Sequence, residues 1–415
     1  MGDAARAAAP ASAADVMRGK AKPPGSLGLL EEWAIRLSEL QGTLRPRISS
    51  ACLILFAADH GITKAAPGVS AYPRQVTPAM FGAIARGQAA SSVLCAANGV
   101  SLEIVDVGVD ADLGEPNLGE PSLGDPNLGG AGLDGGSLDG ADPGLASAAG
   151  GGGGGEARGL EAAAAPRGGA AGGGGAGVRA VHAKVARGSG NFLEGPALTE
   201  PQLAAALAAG AAAVARACGR ATAEAARGGG ALVVAIGELG IGNTTSAAAL
   251  AAALTGLPPA AVVGRGTGVD DAGLDRKRAA VGAALAANVD LIASGPRGAL
   301  RAVGGLEIAA MAGAFLEAAC RRLPAVVDGF VSGAAALAAA RIEPGAARGM
   351  FASHTSAEAG AAAVLTALGL RAPLHMDMRL GEGTGAVLAV PLLRSAAAIM
   401  ADMASLDDVM AAAAH

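Results

Sequence analysis

The chain has 415 residues, a formal net charge of −5 and an isoelectric point near 5.6, with 52% hydrophobic but only 2% aromatic residues. That length suits one large or two ordinary domains, and a mildly acidic chain with no basic stripe argues against a nucleic-acid partner. Much of the apolar half is alanine, so the core is expected to be Ala-rich helices close-packed on Val/Ile/Leu strands.

The chain opens MGDAARAAAP, which has no secretory hydrophobic region, and Arg6 stands where a myristoylation signal requires Ser or Thr. Gly, Arg, Glu and Thr break the alanine runs before any uninterrupted apolar stretch reaches the ~18–20 residues that span a bilayer. The expectation is a cytoplasmic protein with no membrane partner, organelle targeting being left open by the Ala/Arg-rich leader. In chain order, strands are predicted over 52–58, 102–107, 232–236, 325–328 and 374–378. They are near-continuous apolar runs, as parallel strands covered on both faces require. Helices are predicted over 77–97, 200–226, 244–255, 275–288, 305–320 and 332–340. The alternation predicts an α/β fold, a doubly wound, mostly parallel sheet with flanking helices, whose ligands bind beyond the carboxyl ends of the strands.

From 111 to 177 the composition shifts to Gly, Ala, Pro, Asp and Glu, with the repeat LGEPN, LGEPS, LGDPN over 113–127 and a glycine run at 150–155. Such a segment buries too little apolar surface to offset its ordering entropy. It reads as a disordered insertion between two ordered elements, which closure entropy tolerates; a linker between two domains is the other reading.

The four cysteines, at 52, 95, 218 and 320, form no Cys-x-x-Cys pair and read as reduced, buried thiols. The five histidines do not cluster at ligand spacings, so no metal site is expected. After the first strand, Asp59 and His60 are neighbours and project to opposite faces, which favours a structural role. The GVSAYP segment at 68–73 follows, with Ser70 and Tyr72, the only tyrosine, as candidate pocket residues.

The third strand runs into GELGIGNTT at 237–245, a glycine turn and a helix start. Backbone N–H groups and the helix dipole favour an anion there. The spacing mimics a P-loop, but Asn243 stands where that motif needs lysine. A degenerate nucleotide-binding turn and an ordinary turn with an Asn/Thr N-cap both remain open, while Glu238, at the strand end, would face the crevice. GRGTG at 264–268, followed by Arg276, Lys277 and Arg278, is either a phosphate cradle or a glycine loop beside a solvated helix face. DGFVSG at 328–333 and SHTSAE at 353–358 offer hydroxyls and backbone donors at helix starts. Finally, Glu382 lies between Gly381 and Gly383. Glycines permit φ > 0 and close ligand approach, and a partly desolvated carboxylate there would gain basicity; an exposed turn carboxylate is the alternative.

Taken together, these loops resemble the nicotinate-nucleotide–dimethylbenzimidazole phosphoribosyltransferase family of cobalamin nucleotide-loop assembly. The likeness runs through KPPGSLG at 22–28, AADHG at 57–61, GVSAYP at 68–73, GSGN at 188–191, ELGIGNTT at 238–245, GRGTGVDD at 264–271, DGFVSG at 328–333, SHTSAE at 353–358 and RLGEGTG at 379–385. It implies an N-glycosyl transfer: a benzimidazole-type base attacks the ribose anomeric carbon of nicotinate mononucleotide and nicotinate leaves, giving α-ribazole 5′-phosphate. It implies Glu382 as catalytic base and Glu238 as a second carboxylate beside the base pocket. Leu239 and Leu380 would pack on the flat ring. Gly266, Lys277 and Ser356 would meet the nucleotide phosphate, with Gly242, Asn243 and Thr244 as further candidates. N-ribosylated nicotinate is already a cationic leaving group, so neither metal nor cofactor is called for. The resemblance also implies a homodimer and a small helical subdomain built from both chain ends. The resulting division is 1–45 and 391–415 for the subdomain's two parts, 46–110 with 178–390 for a Rossmann-like catalytic domain, and 111–177 for the insertion.

Two departures stand out: the insertion is foreign to the family's usual pattern, and the polar residues of 70–77 do not match it one to one. The alternatives are a degenerate P-loop-like nucleotide-binding protein, which magnesium-dependent ATP binding would mark, and a non-catalytic homologue that binds benzimidazoles or ribosides. The presence of both Glu238 and Glu382 counts against the latter. The preferred acceptor base is open.

Overall fold

The computed structural model describes residues 12–114, 177–225, 230–266 and 268–414. Its six strands are β1 (Ile48–Ala58), β2 (Ser101–Gly108), β3 (Val178–His182), β4 (Ala231–Leu239), β5 (Ala325–Val327) and β6 (Met350–Ala352). They form one sheet in the order β3-β2-β1-β4-β5-β6, and every pairing is parallel. The chain winds outward in both directions from the β1/β4 junction, so the crevice beyond the carboxyl ends of these strands is the switch point where such sheets take ligands.

The two central strands read as unbroken apolar runs because both of their faces are covered. Cys52, Ile54, Phe56 and Ala58 of β1, with Leu232, Val234 and Ile236 of β4, join a core under the helices Glu200–Ala225, Asn243–Thr255, Leu306–Cys320 and Phe330–Ile342. The intervening Leu53, Leu55, Ala57, Val233 and Ala235 point the other way, into a core under Leu29–Gln41, Val76–Ala85, Ala90–Asn98 and Thr384–Asp402. Alanine-rich helices approach closely: Gly210 faces the backbone of Ala310, and Gly313 that of Leu207, so near that a Cβ at either glycine would collide. Two helical segments, 200–221 and Thr384–Asp402, reach membrane-spanning length and mean hydropathy although neither is uninterruptedly apolar; each packs against the sheet as part of these layers.

The first and last described stretches of the chain pack together. Leu29–Gln41 packs on Thr384–Asp402, Lys20 and Ser405 form an isolated antiparallel bridge, and Lys20 Nζ donates to the Met403 carbonyl at 2.5 Å.

The structure corrects several expectations. The strand predicted over 374–378 does not form. Leu374 makes only an isolated parallel bridge with His354; Met376 is 56% exposed, and the backbone turns left-handed at Asp377, φ 52°. The helix predicted over 77–97 is two helices, Val76–Ala85 and Ala90–Asn98, separated around Gly87 at φ 76°. The helix predicted over 275–288 starts earlier, at Asp271, because the Asp270 side chain caps it by accepting from Gly273 N. β3 and β6 were not anticipated. Cys52 and Cys95 are buried thiols, but Cys218 is half-buried and Cys320 exposed. Of the insertion expected over 111–177, only 111–114 and Gly177 belong to the described residues; 1–11, Thr267 and His415 also lie outside them.

Candidate active site

A cavity of about 370 Å³ opens at the switch point, with Glu238 and Glu382 among its walls. Glu238 is the penultimate residue of β4, and the buried Asn243 at the start of the next helix donates its Nδ2–H to Glu238 Oε2. Burial, reinforced by the negative charges of Asp328 and Glu307, pushes the Glu238 carboxyl up to about 8.

Glu382 is presented by a turn of three consecutive left-handed residues: Gly381 (φ 82°), Glu382 itself (φ 56°) and Gly383 (φ 68°). A side-chain-bearing residue held at positive φ is strained by about 1–3 kcal/mol and persists only where its surroundings dictate it. Those surroundings are visible. A Cβ on Gly381 would strike the Glu238 carboxylate, and one on Gly383 would strike Leu53. Thr384 Oγ1 donates to the Gly381 carbonyl at 2.8 Å, while Asp328 accepts from Gly383 N at 3.2 Å and from Ala386 N at 2.9 Å. Ser91 Oγ donates to Glu382 Oε2 at 3.4 Å. Burial raises the Glu382 carboxyl above its ordinary range; Ser91's donation opposes this and Asp328's charge adds to it.

Farther along the cavity lies a cationic corner. Lys277 is almost fully buried, and its Nζ donates to Thr244 Oγ1 at 3.0 Å. A Cβ on Gly266 would stand 2.9 Å from that hydroxyl and 3.1 Å from Nζ, so only glycine leaves the pair open. Burial pushes the Lys277 ammonium down to about 8, against the pull of Glu358. Ser356, also buried, lines the same cavity. The basic run at 276–278 is divided between the interior and the surface. Lys277 turns inward, whereas Arg276 and Arg278 stay at the surface, paired with Asp270 and Asp275.

Of the residues singled out from the sequence, Glu238, Leu239, Asn243, Thr244, Gly266, Ser356, Tyr72, Leu380 and Glu382 all line this one cavity, and Lys277 lies directly beneath Gly266. Leu239 is a buried apolar wall; Tyr72 and Leu380 stand at the mouth, 52% and 56% exposed. Ser70 and Gly242 do not line it. Ser70 Oγ accepts from Tyr72 N at 3.3 Å and shapes the turn, while Gly242, the N-cap of Asn243–Thr255, faces Thr63 and His60. The Asn/Thr N-cap reading also fails, since that helix has no side-chain cap and the Asn243 amide is committed to Glu238. Asp59 and His60 are structural. His60 Nε2 lies 2.6 Å from Glu307 Oε1 and its Nδ1 2.9 Å from Ser246 Oγ, while Asp59 accepts from Asp110 N at 2.8 Å. Sequence reasoning missed Ser91, Asp328 and His354, the last two of which lie within motifs it had noted.

A phosphoribosyltransferase family model matches residues 3–410. The nicotinate-nucleotide–dimethylbenzimidazole phosphoribosyltransferase of Cupriavidus necator is 40% identical over 386 residues, covering 93% of this chain and 90% of that protein. The enzyme of the same name from Thermus thermophilus is 41% identical over 379 residues, 91% of each chain. A crystal structure of the Thermus thermophilus enzyme matches the fold with a TM-score of 0.73 and 38% identity, covering 96% of both chains.

Proposed function

The chain belongs to the nicotinate-nucleotide–dimethylbenzimidazole phosphoribosyltransferase family, and from that premise we propose how its own residues carry the reaction. The enzyme transfers the phosphoribosyl group of nicotinate mononucleotide to 5,6-dimethylbenzimidazole in cobalamin synthesis, releasing nicotinate and α-ribazole 5′-phosphate.

One imidazole nitrogen of the base forms a bond to the ribose anomeric carbon as the bond to the nicotinate nitrogen breaks. The electron pair of the broken bond neutralises the pyridinium. The N–H proton on the base's other nitrogen passes to the Glu382 carboxylate. One observation carries this assignment: Glu382 is held into the cavity by a strained turn, in surroundings that raise its basicity. Glu238, raised to about 8, keeps its proton at neutral pH and so sets no second negative charge beside the base. Leu239 and Leu380 sandwich the flat ring at the carboxylate end, with Tyr72 at the mouth. Lys277, Thr244, Gly266 and Ser356 receive the nucleotide phosphate, which suits a buried ammonium in search of an anion. Asn243 orients Glu238, and Ser70 and Gly242 shape the turns beside the cavity rather than touching substrate.

The degenerate P-loop reading loses its footing, because Asn243 is spent on Glu238 and the cation at this corner comes from a different helix. The reading extends to a cytoplasmic homodimer. Leu406, Val409 and Met410 support the dimer, lying on one face of the helix Leu406–Ala413 and exposed. The 111–177 segment takes no part in transfer, since every assigned residue lies outside it.

The test is to incubate the purified protein with nicotinate mononucleotide and dimethylbenzimidazole and to read the product by mass. Formation of the ribazole phosphate by the native chain and its loss in Glu382→Gln support the assignment. A Glu382→Gln enzyme with near-native turnover removes Glu382 as the base.

A further inference from the structure

His354 is buried, only 4% exposed, yet it lines the cavity and has no task in the scheme above. Its Nδ1 lies 3.0 Å from Ser353 Oγ, and that hydroxyl lies 3.0 Å from the Asp328 carbonyl oxygen. A serine hydroxyl has one proton to give. The carbonyl can only accept, and Ser353 is fully buried, so sending the proton elsewhere would leave two oxygens face to face with nothing between them. The proton therefore goes to the carbonyl, and the Ser353 lone pair accepts from Nδ1–H. For the neutral ring that assigns the tautomer and leaves Nε2 bare, an acceptor.

The ring is held in place for that purpose. A Cβ on Gly385 would strike it. Nε2 also lies 3.6 Å from where a Cβ on Gly329 would stand, and Gly329 is itself a cavity wall. Among the described residues no side chain or backbone group donates to Nε2. Its location is equally specific. Ser356, two residues on, belongs to the phosphate corner. Asp328, whose carbonyl anchors Ser353, holds the Glu382 turn through its carboxylate. A nucleotide with its phosphate at Lys277 and Ser356 and its anomeric carbon near Glu382 spans this interval with its ribose, whose hydroxyls are the donors it has to offer there.

We propose that His354 Nε2 accepts a hydrogen bond from a ribose hydroxyl of the nucleotide, an inference that rests on the substrate placement above. Departure of nicotinate builds positive charge on the ribose ring, which makes a neighbouring hydroxyl a better donor. The bond therefore strengthens toward the transition state, as hydrogen bonds to the 2-hydroxyl do in glycoside cleavage.

The experiment is a substrate–variant cycle. Native enzyme and His354→Ala are each given nicotinate mononucleotide and its 2′-deoxy and 3′-deoxy analogues, with dimethylbenzimidazole as acceptor. Native enzyme should lose about ten- to hundred-fold in kcat/KM on one of the two analogues. His354→Ala should lose a similar factor on the parent nucleotide and show no further loss on that analogue, while the other analogue costs both enzymes the same. Additive losses on both analogues, or a His354→Ala enzyme of native kcat/KM, overturn the proposal. If native enzyme does not turn over nicotinate mononucleotide at all, the failure lies with the functional reading instead. A second measurement depends neither on turnover nor on folding of the variant: 15N NMR of the histidines in native protein. It should find His354 protonated at Nδ1 and bare at Nε2, with the Nε2 signal moving when nicotinate mononucleotide is added. A proton on Nε2 overturns the proposal.

Discussion

Asp328→Asn separates the geometry of the Glu382 turn from its charge. Asp328 follows β5 and is 3% exposed; one carboxylate oxygen accepts from Gly383 N at 3.2 Å and the other from Ala386 N at 2.9 Å. Both donors lie at the start of the helix Thr384–Asp402, where backbone N–H groups have no partner within the helix. Asparagine keeps the shape and one acceptor but turns an NH₂ toward the other N–H. Losing one hydrogen bond to a charged acceptor costs about 1.5–3 kcal/mol, and losing a negative charge at a helix N-terminus about 0.3–1 kcal/mol more. The sum, roughly 2–4 kcal/mol, lowers Tm by roughly 4–8 °C at about 2 °C per kcal/mol, the low end of the usual conversion, as suits a long chain. The charge has a second effect. Burial is the main cause of Glu382's raised pKa, but Asp328 adds to it. A base works ionised, so a raised pKa loses activity as pH falls through it, and relieving the rise carries activity to lower pH. The variant should therefore be less stable, with the acid limb of its kcat/KM profile displaced to lower pH. Thermal unfolding and turnover from about pH 5 to 9 measure both. A Tm within 1 °C of native, or an acid limb that stays or moves upward, refutes the role given to Asp328.

Ser91→Ala makes the opposite electrostatic change. It removes the donation that lowers Glu382, so the acid limb should move to higher pH, and displacement in the same direction as Asp328→Asn contradicts the account. Glu382→Gln preserves size and can still accept from Ser91; it should fold normally and lose about 10²–10⁴ in kcat, read by product mass. Lys277→Met removes a buried ammonium whose pKa is pushed down to about 8. Its KM for nicotinate mononucleotide should rise roughly ten- to hundred-fold as a charge-assisted phosphate contact is lost, with Tm equal to native or higher because an unfavourably buried charge is gone. An unchanged KM takes the phosphate away from this corner.

Which parts of the molecule could be read in advance follows from where the controlling contacts lie along the chain. β1 and β4 were legible because helices cover both faces, and each strand wrote that burial into its own composition. β3, an edge strand, has only partly buried and exposed residues with no strict alternation and emerges from glycine-rich sequence, and β6 spans three residues; neither carries a local signal long enough to separate it from a loop. The 374–378 run misled for the converse reason: LHMDM reads as a near-continuous apolar run, but His375 and Asp377 interrupt its apolar residues, and Met376 is exposed. The same rule governs the site. Glu382 and Glu238 announced themselves through the glycines beside them, because close backbone approach is a local demand. What gives each its chemistry is not local. Ser91 sits in a helix 291 residues from the carboxylate it touches. Glu238 is raised first by burial and then by Asp328 and Glu307, all of which other elements bring to it. The bare nitrogen of His354 is set by a carbonyl 25 residues before the serine that relays it. Spacing can nominate a residue type for a task. Its protonation state belongs to the fold, and for a glycosyl transfer in which the acceptor base must shed a proton, protonation state bears directly on the chemistry.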